Sequence, residues 1–395
     1  MTALDQLFVN LKHGLVGWFP VAWQPWVSMP LTIATLILLF ALLFGLTTVI
    51  ERKGLGRMQN RPGPNRVGPF GCAQFLADGV KMLIKEDIVP RAADRVVHFV
   101  APLVLVVPVL LTFAVLPYGR NMAPIDLDAG LLFFFALGSA TELSVFMAGW
   151  SSANKYSLLG AMRAVAQMIS YELPLVIASL TVVMMAGSLS LPQVVAAQGV
   201  PEGGWVARWF VFTPWGLAGF LLFFVAMAAE ANRTPFDLPE AESELVAGYF
   251  TEYSGFKFAL FFLGEYLGMF AASGLAATLF LGGWQAPASF LGWVPSWLWF
   301  FGKLFALIGV FIWLRGTLPR LRTDQLMKFA WCFLLPMTLI NLVVVAVWHY
   351  AAAWSLPGGT AARWGLCAVL IAVPYAWLGR TFEPRIGSRV YRYAS

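Results

Sequence analysis

The chain reads as long apolar stretches separated by shorter polar ones. Nine stretches are long enough for a helix to cross the ~30 Å hydrocarbon core of a bilayer, which takes about 20 residues. They lie at 30–50, 96–117, 130–150, 160–187, 212–230, 256–283, 297–315, 329–350 and 361–379. Pro108, Pro174, Pro336 and Pro374 fall inside four of them and predict kinks, which neighbouring helices can absorb. The strands of a membrane barrel would alternate polar and apolar residues over about ten positions, and no such run occurs. The pattern therefore predicts an all-α polytopic membrane protein. Two shorter amphipathic helices accompany the spans. Leu4, Leu7, Phe8, Leu11, Leu15 and Trp18 share one face at helical spacing, which reads as a helix lying in the outer membrane interface. After the first span, Phe75, Leu76, Val80, Leu83 and Ile84 form an apolar stripe, with Asp78, Lys81 and Lys85 off it. That is the pattern of a surface helix.

Composition narrows the class further. The 395 residues are 59% hydrophobic and only 12% charged, with a mean hydropathy of +0.75. An ordinary soluble domain carries about 25% charged residues, so soluble and disordered classes are excluded. Charge then orients the spans: the loops that follow odd-numbered spans, with the tail, hold 21 of the 26 Lys and Arg residues. By the positive-inside rule those loops and the C-terminus face the cytoplasm, and the N-terminus faces the periplasm. The net charge of +6 is then topological and calls for no nucleic-acid partner. Prolines and tryptophans interrupt residues 18–30, against a cleaved signal peptide. Cys72, Cys332 and Cys367 form no CxxC pair, and His13, His98 and His349 lie far apart. No phosphate loop or dinucleotide fingerprint appears. The chain is expected to bind no metal and no redox cofactor of its own.

Three loops are too well specified to be linkers. The first, 51–95, opens with Glu51, Arg52 and Lys53 and continues through a Gly/Pro-rich stretch that cannot be regular helix. The second, 231–257, contains Asp237, Pro239 and Glu240 in the arrangement of a helix start, followed by Glu242 and Glu244. The helix dipole accounts for Glu240. Glu244 is harder to explain that way, because like charges four apart repel, so either dipole complementation or proton handling is open. The third, 316–328, follows Arg315 and clusters Arg320 and Arg322 beside Asp324, either as a topological signal or as a cationic wall facing the acidic loop. Glu142, Glu172 and Glu265 lie within spans, and Glu230 closes one. A carboxylate at mid-membrane costs roughly 2.5–3.5 kcal/mol on insertion scales. Such residues are either neutral groups bonded to neighbouring helices or members of a proton relay. Gly264 and Gly268 flank Glu265 as a GxxxG pair that would permit close helix approach.

The segments ERKGLGRMQNRPGPNRVGPFG, ANRTPFDLPEAESELVAGYFTEYSG and RGTLPRLRTDQLM resemble the signature loops of one membrane-subunit family of respiratory complex I, the NADH-quinone oxidoreductase. It is the family that includes mitochondrial subunit 1 of NADH–ubiquinone oxidoreductase and its bacterial equivalents. The likeness runs from about residue 30 to 350. Thr323, Cys332 and Cys72 depart from the family's usual residues, which puts roles for those side chains in doubt. The resemblance implies a translocase component at the junction of the peripheral and membrane arms, with no catalytic residue of its own. Its loops would border a chamber that admits quinone, the substrate. FMN and iron–sulfur clusters would belong to partner subunits. By motif position, Glu51, Arg52, Arg61, Asp78, Glu230, Arg233, Asp237, Arg315 and Arg320 would line the chamber. Glu142, Glu172, Glu230, Glu240, Glu242, Glu244 and Glu265 would form a proton relay.

The expected organisation is an interfacial segment at 1–29, an eight-span core at 30–350, and a ninth span with a basic tail at 351–395. The expected setting is a bacterial inner membrane, among lipid, other complex I subunits in both arms, and quinone. Two alternatives stay open on the residues alone. One is the equivalent component of an energy-converting hydrogenase or a ferredoxin- or F420-driven complex. The other is a stand-alone secondary transporter, which intramembrane acids and broken helices would also fit.

Overall fold

The computed structural model describes residues 4–200, 204–237, 247–351 and 359–380. Among them, helices carry the fold and the only strand-like pairing is one isolated bridge between Val206 and Ala288. Helix α1 spans Leu7–Val16, α2 Gln24–Met58, α3 Gln74–Ile84, α4 Arg95–Thr112, α5 Gly130–Ser151 and α6 Lys155–Ala186. The short α7 (Leu191–Ala197) precedes α8 (Pro214–Glu230), α9 (Gly255–Phe280) and α10 (Ser296–Thr317). Helix α11 (Thr323–Phe329) continues through a π-helical turn at Ala330–Leu334 into α12 (Leu335–Ala351), and α13 is Gly359–Arg380. All nine predicted spans are helical. Among the described residues eight helical runs are long and apolar enough to cross a membrane, and α8, at 17 residues, is shorter. The first span overran its prediction most: α2 has 35 residues, so Glu51 sits inside a continuous helix and not in the loop after it.

Local sequence sets the helix ends. Asp94 accepts the Val96 and Val97 amides at 3.0 and 3.2 Å to cap α4. Asn154 caps α6 through the Tyr156 amide at 3.0 Å, and Thr213 caps α8 with Pro214 behind it. These side chains satisfy amides that a helix leaves unpaired at its start. The π turn lies just before Pro336, where a proline removes a ladder bond and the helix must rearrange.

Packing gathers α4, α5, α6, α8 and α9 together, and α10, α12 and α13 add buried residues such as Phe300, Val345 and Cys367 to the main core. Tyr171, Trp215, Phe223, Phe270 and Phe280 are buried at its centre. Glycine permits one crossing: a Cβ at Gly149 would come within 2.2 Å of Ala161 Cβ, so α5 and α6 touch there. The GxxxG pair behaves asymmetrically. Gly264 lies against Leu105 of α4, where a Cβ would meet Leu105 Cδ2 at 2.6 Å, whereas nothing stands within 4 Å of one at Gly268. The stripe on α3 buries only in part: Phe75 packs against Gly45 of α2, while Leu76, Val80, Leu83 and Ile84 are exposed. Ile33, Ile37, Leu38 and Leu42 of α2 are exposed as well, as lipid-facing residues would be.

At the far ends of α9 and α10 a buried lysine joins the two helices. Lys303 Nζ donates to the carbonyls of Leu281, Gly283 and Gln285 at 2.7, 2.7 and 2.8 Å and lies 4.0 Å from the Trp209 ring centroid. A positive φ at Gly282 (70°) and Gly283 (52°) turns those carbonyls inward. This is a C-terminal helix cap supplied by a cation.

Candidate functional site

The site begins where α2 leaves the apolar zone. Glu51 is 5% exposed. Tyr266 Oη of α9 donates to its Oε2 at 2.6 Å, Arg315 of α10 pairs with its Oε1, and Arg233 Nη1 stands 3.8 Å from the same oxygen. The Arg233 guanidinium lies 4.0 Å from the Tyr266 ring centroid. The Glu51 carboxylate and the Arg233 guanidinium are thereby held on one tyrosine, and Arg315 on the same carboxylate. Burial works against the charge on Arg233, but Tyr266, Glu51 and Glu265 around it outweigh that and hold its pKa above the ordinary value. Two of its donors, Nε and Nη2, are buried without a partner.

Arg233 belongs to a tight turn closing α8. The Arg233 amide bonds the Ala228 carbonyl at 3.2 Å, and the Phe236 amide bonds the Arg233 carbonyl at 2.8 Å. Asn232 has a positive φ of 49°, and the Thr234–Pro235 bond is cis. Asp237 ends the turn at 7% exposure and accepts Arg320 Nη2 at 3.1 Å. The Leu321 amide bonds the Pro235 carbonyl at 3.0 Å, so the third loop docks on the turn of the second.

The turn separates two spaces. On one side Glu230, Ala231 and Asn232 line a cavity of about 70 Å³ together with Glu265, Thr141 and Tyr249. One water needs roughly 10–15 Å³ of such space, so several would fit. On the other side Ala228, Pro235 and Phe236 border a wholly apolar groove of about 600 Å³ between α8 and α10.

The intramembrane acids continue from the smaller cavity. Tyr249 Oη donates to Glu265 Oε1 at 2.9 Å. Glu230 presents a buried Oε2 with no partner, and a Cβ at Gly138 of α5 would lie 3.6 Å from its Oε1. Glu142 of α5 and Glu172 of α6 lie within side-chain hydrogen-bonding range of each other, and Glu230 is close enough to act on both. Ser139 Oγ donates to Glu172 Oε1 at 2.5 Å. Carboxyls from α5, α6 and α8 thus meet in the bundle, and Glu265 links them to Arg233.

The predicted residues fall into groups. Glu51, Arg233 and Arg315 form the central cluster, Asp237 and Arg320 a pair beside it, and Glu142, Glu172, Glu230 and Glu265 a half-buried series. Arg52 and Asp78 pair at 2.5 Å at the surface, with Gln74 on Asp78 at 3.0 Å. Arg61 stays exposed, and its side chain bonds Gln59 at 2.8 Å. Neither joins the central cluster. Arg322 pairs with Asp324 at 3.4 Å. Glu240, Glu242 and Glu244 lie outside the described residues. Sequence reading missed Tyr266, Tyr249 and Gln167. A tyrosine and a glutamine within spans, Tyr266 and Gln167, signal a need for polar partners, but their spacing names none, and Tyr249 lies in the second loop. Among the described residues no cluster of His, Cys, Asp and Glu suits a metal ion.

Fold and site together define a polytopic helical membrane protein with a half-buried series of acids beside ion-paired loops. Residues 31–346 match the NADH dehydrogenase family, and the chain belongs to that family. It is 50% identical over 318 residues to the H subunit of NADH-quinone oxidoreductase from Dehalococcoides mccartyi strain CBDB1, covering 79% of this chain and 86% of that one. The H subunit of the Geobacillus kaustophilus enzyme is 49% identical over 326 residues, covering 82% and 95%. That of Carboxydothermus hydrogenoformans is 45% identical over 355 residues, covering 88% and 97%.

Proposed function

We propose that this chain forms the membrane-side wall of a quinone site in a proton-pumping NADH:quinone oxidoreductase of the bacterial inner membrane. Quinone takes up two electrons and two protons to become quinol. The electrons come from NADH through flavin and iron–sulfur clusters held by partner subunits. Glu51, Arg233, Arg315 and the Asp237–Arg320 pair line or support the chamber. Arg52, Asp78 and Arg61 act at its outer margin. Glu230, Glu265, Glu172 and Glu142, with Glu240, Glu242 and Glu244, carry the response to quinone reduction into the membrane. The basic loops face the cytoplasm, as does the C-terminus, and the N-terminus is periplasmic.

One observation carries this reading: the Glu51–Arg233 cluster leads through Glu265 and the small cavity to three carboxyls from different helices. Buried charges in weak dielectric screening respond strongly to a charge made or removed nearby. A structural anchor would need no such series, since mid-membrane acids are costly.

The test is Glu230→Gln and Glu172→Gln in the assembled enzyme. Both variants should keep flavin content and NADH–ferricyanide activity, a reaction that needs no quinone. Coupled quinone reduction should fall at least tenfold. Normal coupled activity in both variants would sink the proposal.

A further inference from the structure

Gln167 lies in the middle of α6 and is fully buried. No motif marks it, and neither the ion-paired cluster nor the acid series includes it. Its Nε2 donates to the Ala229 carbonyl at 2.7 Å and to the Phe236 carbonyl at 2.7 Å, with Asn232 Oδ1 at 3.3 Å. An amide nitrogen carries two hydrogens, and the two short bonds use both. Both close partners are carbonyl oxygens, so the nitrogen must face the turn.

The placement of those carbonyls matters. Ala229 is in the last turn of α8, whose carbonyls lack helical partners. Phe236 lies at the opposite end of the turn. Glu230 and Arg233 lie between the two anchored carbonyls, and Asp237 is one residue beyond. A single side chain therefore ties down both ends of the segment that carries two candidate residues and leads directly into a third. The same helix bears Glu172, and Tyr171 packs its ring 5.4 Å from that of Phe236. Helix α6 is thus a common frame for the turn and for the next acid in the series.

We propose that Gln167 is a positioning residue that holds Glu230 and Arg233 in register with Glu172, so that quinone chemistry at the loops reaches the intramembrane acids. This rests on the function proposed above. The role requires a donor. A leucine of similar size fills the space without bonding either carbonyl. A glutamate of the same shape, when ionised, turns oxygens toward two carbonyl oxygens. Freed of the clamp, the turn keeps its own backbone bonds but loses its anchor to α6.

The experiment uses the assembled complex carrying Gln167→Leu or Gln167→Glu. Expected are flavin content and NADH–ferricyanide rates within twofold of the parent. The kcat of quinone reduction should fall at least tenfold in both, with KM moving less than threefold. Backbone amides of 230–236 should exchange hydrogen faster in the variants, while those of α6 change little. The proposal is overturned if either variant reduces quinone at the parental rate, or if activity falls only in proportion to lost assembly. It is equally overturned if activity falls with no change in exchange at the turn. Should neither variant assemble, exchange in the parent complex decides: amides at Arg233 and Phe236 as slow as those of α6 support a turn tied to that helix, and amides that exchange much faster than α6 overturn it. The function reading fails separately, by normal quinone reduction in Glu230→Gln and Arg233→Met, and the exchange measurement still tests the clamp in that event.

Discussion

Glu51→Gln is the most informative single change in this molecule. The substitution preserves shape and removes one charge from a group of three. Two guanidiniums then face each other across a neutral amide. Breaking a buried ion pair by removing one partner costs about 3–5 kcal/mol, because the remaining charge is stranded. Here the two cations differ. The Arg233 side chain is 9% exposed and bears the full penalty, whereas that of Arg315 is 34% exposed and is partly screened by solvent. The Tyr266 bond weakens but survives, since glutamine still offers an acceptor oxygen. The combined expectation is a loss of about 2–4 kcal/mol, below the full penalty because Arg315 can turn toward water. Thermal inactivation of the detergent-solubilised complex should accelerate by at least tenfold, given that about 1.4 kcal/mol is a factor of ten. Adding Arg315→Met to Glu51→Gln removes one stranded cation, so the double variant should outlast the sum of its parts, with a coupling of about 0.5–3 kcal/mol. Parental inactivation rates in Glu51→Gln, or simple additivity in the pair, would refute the claim that these three charges form one unit.

Other consequences follow from the packing and the outlying groups. Lys303→Met orphans three carbonyls at the end of α9, each costing about 1–3 kcal/mol if left unbonded; a sharply lower yield of assembled complex is expected, and a parental yield contradicts it. Gly264→Ala presses on Leu105 and should cost about 1–3 kcal/mol by overpacking. Gly268→Ala meets nothing and should be silent, and thermal inactivation of the two variants separates them. Burial pushes the Tyr253 phenol up to about 12, above the ordinary value near 10. Its contribution to stability is complete below pH 10 and is lost as pH rises toward 12. Tyr253→Phe should therefore flatten the alkaline limb of an inactivation-against-pH curve, and an unchanged limb would show that the phenol does not titrate in that process.

Particular residues show how far the primary structure reached. The spans were legible because burial in lipid demands unbroken apolar length, which is a local property of the chain. Even Pro336 announced its disturbance of the eighth span, which the helix resolves as the π turn before it. The acids Glu142, Glu172, Glu230 and Glu265 were legible as anomalies, since each stands among apolar neighbours. Arg315 was legible as a cation at a span's end, but its partner was not: Glu51 lies 264 positions away. The GxxxG pair was misleading in part, because the spacing places two glycines on one face without saying what each face meets.

Read residue by residue, the chain specifies an all-α polytopic membrane protein, its family, and the residue types available for chemistry. Hydrophobic length, capping residues and signature loops act over a few residues to a few dozen, and they survive being read one after another. The tertiary structure decided which of those residues meet. It sent Arg315 to Glu51, put Tyr266 between Glu51 and Arg233, left Arg52 and Arg61 at the margin, and set Gln167 across both ends of the α8 turn. Those outcomes depend on helix rotation and crossing, fixed by side-chain packing such as Gly264 on Leu105 and Gly149 on Ala161, and a linear pattern carries no record of which helix stands beside which.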